Sequence, residues 1–123
     1  MGVIFGTGCN AAYMEDLGSI PKLAHLNLPD DTPMAINCEW GAFDNEGVVL
    51  PTTPYDARID AESPRPGQQM FEKMLAGFYL GEIFRLVMLD LHERGVLFAG
   101  QSSSDLLRTP YSLDSSFPAT IEG

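Results

Sequence analysis

The chain has little positive charge. Lysine and arginine number 7 against 17 aspartate and glutamate residues, for a net charge of −10. Nucleic acids and anionic membranes are bound mainly through clustered lysine and arginine side chains. Here the basic residues are scattered, so we expect neither a nucleic-acid nor a membrane partner, and we interpret the acidic excess as favouring solubility. They are Lys22, Arg58, Arg65, Lys73, Arg85, Arg94 and Arg108.

Cysteine and histidine are also scarce. Cys9 and Cys38 lie within apolar runs, while His25 and His92 are isolated. None of them has the spacing of a zinc site, so no protein-bound metal is predicted. The two cysteines are interpreted as small buried residues of a reducing compartment, with a disulfide between them as the open alternative.

The sequence has no long apolar run and no recognisable leader. Its apolar stretches are far shorter than a membrane span, and Met1-Gly2 is followed by neither a basic segment nor a cleavage site. We therefore predict a cytoplasmic protein. Residues 3–7 resemble a strand buried on both faces, which normally lies inside a sheet. The residues 120–123 offer no cap or closing strand, so we interpret both ends as cuts in a longer protein.

What is present indicates one globular α/β or α+β domain. The 123 residues are 45% apolar and 10% aromatic. Strands are predicted over 3–7 and 11–14, joined as a hairpin, and over 34–40. Helices are predicted over 55–61 and from 68 to 91, with Gly77 as a kink or a point of close backbone approach, and Gly95 as a left-handed cap. A short helix is expected within 15–22, a short helix or loop from about 102, and an irregular tail after Pro110.

Polar groups interrupt the apolar pattern at three places. Gly6-Thr7-Gly8 can present backbone N–H groups and a hydroxyl to an anion, or form an ordinary hairpin turn. Glu39 ends an apolar strand, where a carboxylate needs partners, a cavity or solvent. Two further side chains three positions apart share one predicted helix face, which is either functional or solvated. They are Gln69 and Glu72; Glu82 and Asp90, farther on, are interpreted as solvated.

Together with Asn10, these residues form a set rich in hydrogen-bond acceptors. Each hydroxyl of a sugar both donates and accepts, so carboxylates and amides beside apolar walls suit such a ligand. A glycosidase that uses Glu39 and Glu72 as an acid/base pair is the alternative from local chemistry.

Several stretches of the chain resemble the hexokinase and glucokinase family, and fungal members most. They occur in family order and cover nearly the whole sequence. They are GTGCNAAY at 6–13, INCEWGAF at 36–43, PGQQMFEK at 66–73, YLGEIFRLV at 79–87 and LDSSF at 113–117.

This resemblance implies a fold and a function. The fold would be the actin-like, ribonuclease-H-like α/β fold, with residues 1–123 as part of the large domain. Asn10, Glu39, Gln69 and Glu72 would contact glucose or another hexose, and Thr7 and Gly8 would face the ATP phosphates. The parent enzyme would transfer the γ-phosphoryl group of magnesium-ATP to the sugar 6-hydroxyl.

By the same resemblance, the catalytic aspartate and a sugar-binding lysine belong to the small domain, upstream of residue 1. The N-terminal phosphate loop and the adenosine-binding segment are also missing here. No catalytic residue is therefore assigned within this chain. The alternative is a non-catalytic hexokinase-like protein that binds sugar as a sensor or interaction partner.

Overall fold

Three antiparallel strands form one sheet in the order β1–β2–β3. The computed structural model describes residues 1–122, and the strands are β1 (Gly2–Phe5), β2 (Cys9–Asp16) and β3 (Pro33–Asn37). Phe5 pairs with Cys9 across the tight turn, and Ala12 pairs with Asn37. The predicted hairpin is confirmed. Within the described residues β1 is the edge strand and its four residues are exposed, so the burial expected on both faces is not observed among them.

The third strand ends earlier than its apolar sequence predicts. The last ladder bond joins the Cys38 N–H to the Ala11 carbonyl at 2.9 Å, and Glu39 then turns into the left-handed region at φ 49°. Trp40–Ala42 follows as a single 3-10 turn. The turn directs the Trp40 ring against Phe5 and Phe71, at centroid distances of 5.5 and 6.0 Å. Long-range aromatic packing therefore outweighs the local preference for strand.

Helix α1 (Pro54–Glu62) begins at a capping box. The Thr53 hydroxyl accepts the Asp56 N–H, and the Asp56 carboxylate accepts the Thr53 N–H at 2.8 Å. Pro54 occupies the first helical position, where its missing N–H costs nothing. The predicted helix over 55–61 is confirmed. Before it, the 3-10 segments Leu17–Ser19 and Pro21–Leu26 occupy most of the region where a short helix was expected.

The long helix expected from 68 to 91 is two helices. Helix α2 (Met70–Leu75) and helix α3 (Gly77–Glu93) are separated by Ala76, which is fully buried and extended at ψ 146°. The Gly77 N–H donates to the Gly6 carbonyl at 2.7 Å, and a Cβ on Gly77 would lie 3.0 Å from that oxygen. Of the two predicted roles of Gly77, close backbone approach is the one confirmed.

The end of α3 forms the cap that Gly95 predicts. Gly95 has φ 72°, its N–H donates to the His92 carbonyl, and the Val96 N–H donates to the Leu91 carbonyl. These are the two bonds of a Schellman motif. Beyond it lie α4 (Asp105–Arg108) and α5 (Phe117–Glu122), so the expectation of an irregular tail is wrong for its last part. Along the described residues, each helix is too short or too polar to cross a bilayer.

A buried ion pair joins α3 to the segment that follows it. Glu82 and Arg85 are each 1% exposed, and the guanidinium donates to both Glu82 oxygens, at 2.5 and 2.8 Å. Arg85 also donates to the Leu107 carbonyl, and Glu82 accepts the Tyr111 N–H at 2.6 Å. The hydrogen bonds to Glu82 raise the pKa of Arg85. The interpretation of Glu82 as solvated is therefore wrong.

Asp90 is also more than a solvated side chain. Its carboxylate accepts the Tyr55 hydroxyl at 2.8 Å, which links α3 to α1, and it pairs with Arg94 one turn away. The hydrogen bond from Tyr55 lowers the pKa of Asp90. The buried apolar residues are small or aliphatic and come from β2, from α1, α3 and α4, and from the segments that connect the elements. They are Cys9, Ala11, Leu17, Ile59, Ala76, Leu86, Leu107 and Leu113.

Removing one partner of the buried pair should destabilise the chain strongly. Glu82→Ala leaves the Arg85 guanidinium buried without its carboxylate, and such changes cost about 3–5 kcal/mol. Glu62→Ala removes the carboxylate of the exposed Arg58 pair, whose two side chains are 49% and 47% exposed, and should change stability by only a few tenths of a kcal/mol. Urea unfolding followed by circular dichroism measures both. Equal midpoints for the two variants would contradict the role of Glu82.

Candidate functional site

The β1–β2 turn rests on the first residues of α3. The Gly6 and Thr7 carbonyls accept the N–H groups of Gly77 and Phe78, at 2.7 and 3.2 Å. The Gly6 N–H donates to the Gly8 carbonyl at 2.9 Å, so this N–H is occupied inside the turn. The expectation that it could face an anion is therefore wrong for Gly6. Thr7 is exposed and lines a cavity of about 450 Å³, together with Phe5, Phe78, Asp114 and Ser115.

Gly8 leaves room for the approach of a carboxylate. The Glu72 side chain reaches from α2 to the turn, where its Oε2 atom accepts the Cys9 N–H at 2.9 Å. A Cβ on Gly8 would lie 2.8 Å from that oxygen. A side chain at position 8 would therefore have to displace the end of the Glu72 side chain from the Cys9 N–H.

Gln69 and Glu72 lie against the same glycine. A Cβ on Gly41 would be 2.6 Å from Gln69 Oε1 and 3.2 Å from Glu72 Cβ. Gln69 precedes α2 in a left-handed conformation at φ 57°. The prediction that the two side chains share a helix face is therefore wrong for Gln69, yet the turn brings them to one place. Gly41 follows Glu39 by two residues.

A largely buried ion pair holds the turn that carries Gln69. Lys73 is 4% exposed, and its ammonium donates to Asp60 Oδ1 at 2.6 Å and to the Arg65 carbonyl at 2.8 Å. Asp60 also accepts the Gly67 N–H at 2.9 Å. Burial alone would raise the pKa of Asp60, but the bonds from Lys73 and Gly67 and the Lys73 charge together lower it. The segment between α1 and α2 is thus held by Lys73 of α2, which donates to the Arg65 carbonyl, and by Asp60 of α1, which accepts the Gly67 N–H.

Asn10 and Glu39 are joined through Asn37. The Asn10 Nδ2 donates to Asn37 Oδ1 at 2.6 Å, and the Asn37 Nδ2 donates to Glu39 Oε1 at 2.5 Å. Asn37 lies opposite Ala12 in the ladder. No role was predicted for Asn37. The strand predicted over 34–40 would place Asn37 and Glu39 on one face, but β3 ends at Asn37 and it is the left-handed turn at Glu39 that brings the two side chains together.

An aromatic cluster lies behind these polar groups. Trp40 packs against Phe5 and Phe71, and Phe43 meets Phe71 edge-on at 6.0 Å. The Trp40 indole N–H is buried and has no hydrogen-bond partner among the described residues. These rings attach the turn after β3 to α2 and to the hairpin, and so hold the elements that carry the site.

The two cysteines differ in exposure. Cys9 is buried, and burial followed by the charge of Glu72 raises the pKa of its thiol. Cys38 is exposed, because β3 ends before it, so its predicted burial is wrong. Both thiols are free, which excludes the disulfide alternative in this structure.

The predicted site residues thus form two groups linked by short pieces of backbone. Asn10 and Glu39 belong to one group, and Gln69 and Glu72 to the other; Cys9 and Gly41 connect them. The groups offer carboxylate and amide oxygens with few cations, which suits an uncharged ligand with many hydroxyls. Among the described residues, no group of three or more histidine, cysteine, aspartate and glutamate side chains could hold a metal ion.

Comparison with known proteins gives the family. A family model described as Hexokinase matches residues 1–123. The chain belongs to the hexokinase family. It is 67% identical to the hexokinase of Emericella nidulans over 124 residues and 56% identical to hexokinase-1 of Schizosaccharomyces pombe over 122 residues. Each match covers 99% of this chain and 25% of the relative, so the chain spans about a quarter of the length of these hexokinases.

A solved hexokinase has the same fold. The hexokinase from Schistosoma mansoni, determined in complex with glucose, superposes with a TM-score of 0.82 at 37% identity, over 98% of this chain and 27% of that one. The predicted α/β fold of the actin-like class is therefore confirmed for this part of a hexokinase.

The Gly8–Glu72 contact predicts different effects of two similar substitutions. In Gly8→Ala the new methyl group must displace the Glu72 carboxylate from the Cys9 N–H, so we expect a loss of stability of about 1–3 kcal/mol. In Gly6→Ala the nearest atom is Ile4 Cγ2 at 3.9 Å, an ordinary contact, and the change should be small. Urea unfolding and the amide resonance of Cys9 check this. An unmoved Cys9 resonance in Gly8→Ala would contradict the contact.

Proposed function

We propose that this chain forms the sugar-binding wall of an ATP-dependent hexose kinase, as part of its large domain. Glucose is the expected sugar and its 6-hydroxyl the expected acceptor of the phosphoryl group. The observation that carries the proposal is the placement of two carboxylates and two amides around Gly41 and the β1–β2 turn. Membership of the hexokinase family, and a glucose complex of a relative with this fold, support it.

In this proposal each polar group has a role toward the sugar. The Glu39 and Glu72 carboxylates accept hydrogen bonds from hydroxyl groups, and each such charge-assisted bond contributes about 1.5–3 kcal/mol. The amides of Asn10 and Gln69 can both donate and accept. Because a hexose is neutral, the strong negative charge of the chain does not oppose its binding.

Thr7 and Gly8 would form the phosphate-facing end of the site. The Thr7 hydroxyl is exposed beside the 450 Å³ cavity, so it fits a phosphate oxygen as a donor. The lining residues include Asp114 and no lysine or arginine. Magnesium-ATP, when bound, supplies the phosphoryl group together with a compensating cation, and the remaining charge neutralisation would come from outside this chain.

Turnover would need the small domain of the parent enzyme. By family resemblance that domain brings the catalytic base and closes over the sugar, which excludes water and completes the site. The missing base alone costs roughly 10²–10⁴ in rate.

We place the enzyme in the cytoplasm, in accord with its two free thiols, of which Cys38 is exposed and Cys9 is buried. Family membership argues against the glycosidase alternative.

A chimeric enzyme tests the proposal. In it, this chain replaces the matching quarter of the Emericella nidulans hexokinase, and glucose phosphorylation is followed in a coupled assay with ATP and magnesium. We expect activity from the chimera and none from the 123-residue chain alone. Glucose binding without turnover by the chimera would support the non-catalytic alternative and overturn the kinase assignment.

Within the chimera, Glu39→Ala should weaken sugar use strongly. Loss of one carboxylate that accepts one sugar hydroxyl should lower kcat/KM for glucose by roughly 10- to 150-fold, since about 1.5–3 kcal/mol is removed. The KM for ATP should change little. Glu46→Ala, which removes an exposed carboxylate from the loop after the 3-10 turn, is the matched control. Unchanged glucose kinetics in Glu39→Ala would reject the sugar contact.

A further inference from the structure

We propose that Asn37 is a positioning residue of the sugar site, which orients Glu39 without touching the sugar itself. The inference rests on the proposed function of Glu39. Its basis is the hydrogen-bonded chain from Asn10 through Asn37 to Glu39, which runs from the start of β2 to the second residue beyond β3.

The direction of each bond in this chain is set. Asn10 Oδ1 accepts the backbone N–H of Ala11 at 2.8 Å, which leaves its Nδ2 to donate to Asn37. Asn37 therefore presents its oxygen to Asn10 and its nitrogen to Glu39. Only a side chain with an acceptor and a donor about 2 Å apart can do both, and the Asn amide is such a group. A carboxylate of the same shape lacks the donor.

Glu39 needs such a partner because its surroundings restrain it little. It lies outside the ladder at φ 49° and is exposed, and its long side chain has many rotamers. Among the described residues, Asn37 is the side chain that donates to its carboxylate. Ordering a free, rotamer-rich side chain on binding lowers affinity, by roughly 2- to 10-fold for one such residue. Asn37 would remove this cost by holding Glu39 before the sugar arrives.

The strand ladder makes Asn37 a suitable support. Asn37 is the last residue of β3 and pairs with Ala12, while the next residue, Cys38, still donates to the Ala11 carbonyl. The backbone of Asn37 is thus fixed opposite Ala12, which lies two residues from Asn10 on β2 and shares its face of the sheet. A short side chain on a fixed backbone can orient a longer one on a turn.

The experiment uses the chimera described above. Asn37→Ala should raise the KM for glucose roughly 2- to 10-fold, with kcat and the KM for ATP nearly unchanged. Asn37→Asp should raise it further, because it places a second negative charge beside Glu39 in place of a donor. Gln101→Glu makes the same chemical change at an exposed position in the loop after α3 and should leave glucose kinetics unaltered.

A double-mutant cycle separates positioning from a general structural effect. If Asn37 acts through Glu39, then Asn37→Ala should have little further effect in the Glu39→Ala background. Two results would overturn this inference but leave the proposed function intact. One is that the effects of the two substitutions multiply in the double variant. The other is that Asn37→Ala leaves the KM for glucose unchanged while Glu39→Ala impairs the enzyme. An inactive unmutated chimera, or a Glu39→Ala variant without effect, would instead overturn the proposed function. A matching unfolding midpoint for Asn37→Ala confirms that the loss is local.

Discussion

The close approach of the β1–β2 turn to the helices that follow is the contact on which the site depends. Two glycines without side chains, Gly8 and Gly77, allow it: the Glu72 carboxylate fills the space beside one, and the Gly6 carbonyl fills the space beside the other. The same approach requires the break at Ala76, because in a continuous helix the Gly77 N–H would donate to the carbonyl of Lys73 and not to that of Gly6. The hairpin and the helices thus form one surface at this point.

Around this contact, several groups that have no proposed role in ligand binding hold the proposed ligand-binding side chains in place. The Cys9 N–H holds Glu72, the Lys73–Asp60 pair holds the turn of Gln69, and Asn37 links Asn10 with Glu39. Preorganised polar groups bind more tightly because less conformational freedom is lost on binding. In the proposed function, this support would fix the positions of carboxylates and amides that lie on turns, and so present a defined surface to sugar hydroxyls.

Local sequence patterns were sufficient for part of this architecture. The hairpin, α1 with its capping box at Thr53 and Asp56, and the cap at Gly95 depend on neighbouring residues, and each was predictable. The polar character of the site was also visible, because Glu39 interrupts an apolar run.

Other features depend on partners far away in the chain. The Glu82 carboxylate accepts hydrogen bonds from Arg85, one helical turn away, and from the distant Tyr111 N–H. The Leu107 carbonyl, also distant in the chain, accepts from Arg85, and no local pattern shows that Leu107 and Tyr111 complete this cluster. Cys38 is exposed because Trp40 turns inward to Phe5 and Phe71, which ends β3 early. The break between α2 and α3 likewise follows from the hairpin that docks there, since the apolar spacing of the helix continues through it.

We propose that Asn10, Glu39, Gln69 and Glu72 surround one sugar. The most direct test is a crystal structure of the chimeric hexokinase with glucose bound. We expect a polar side-chain atom of each of the four residues within about 3.2 Å of a glucose hydroxyl, with Asn37 bonded to Glu39 and not to the sugar. Glucose bound elsewhere, or bound with Glu39 and Glu72 both directed away from its hydroxyls, would contradict this proposal.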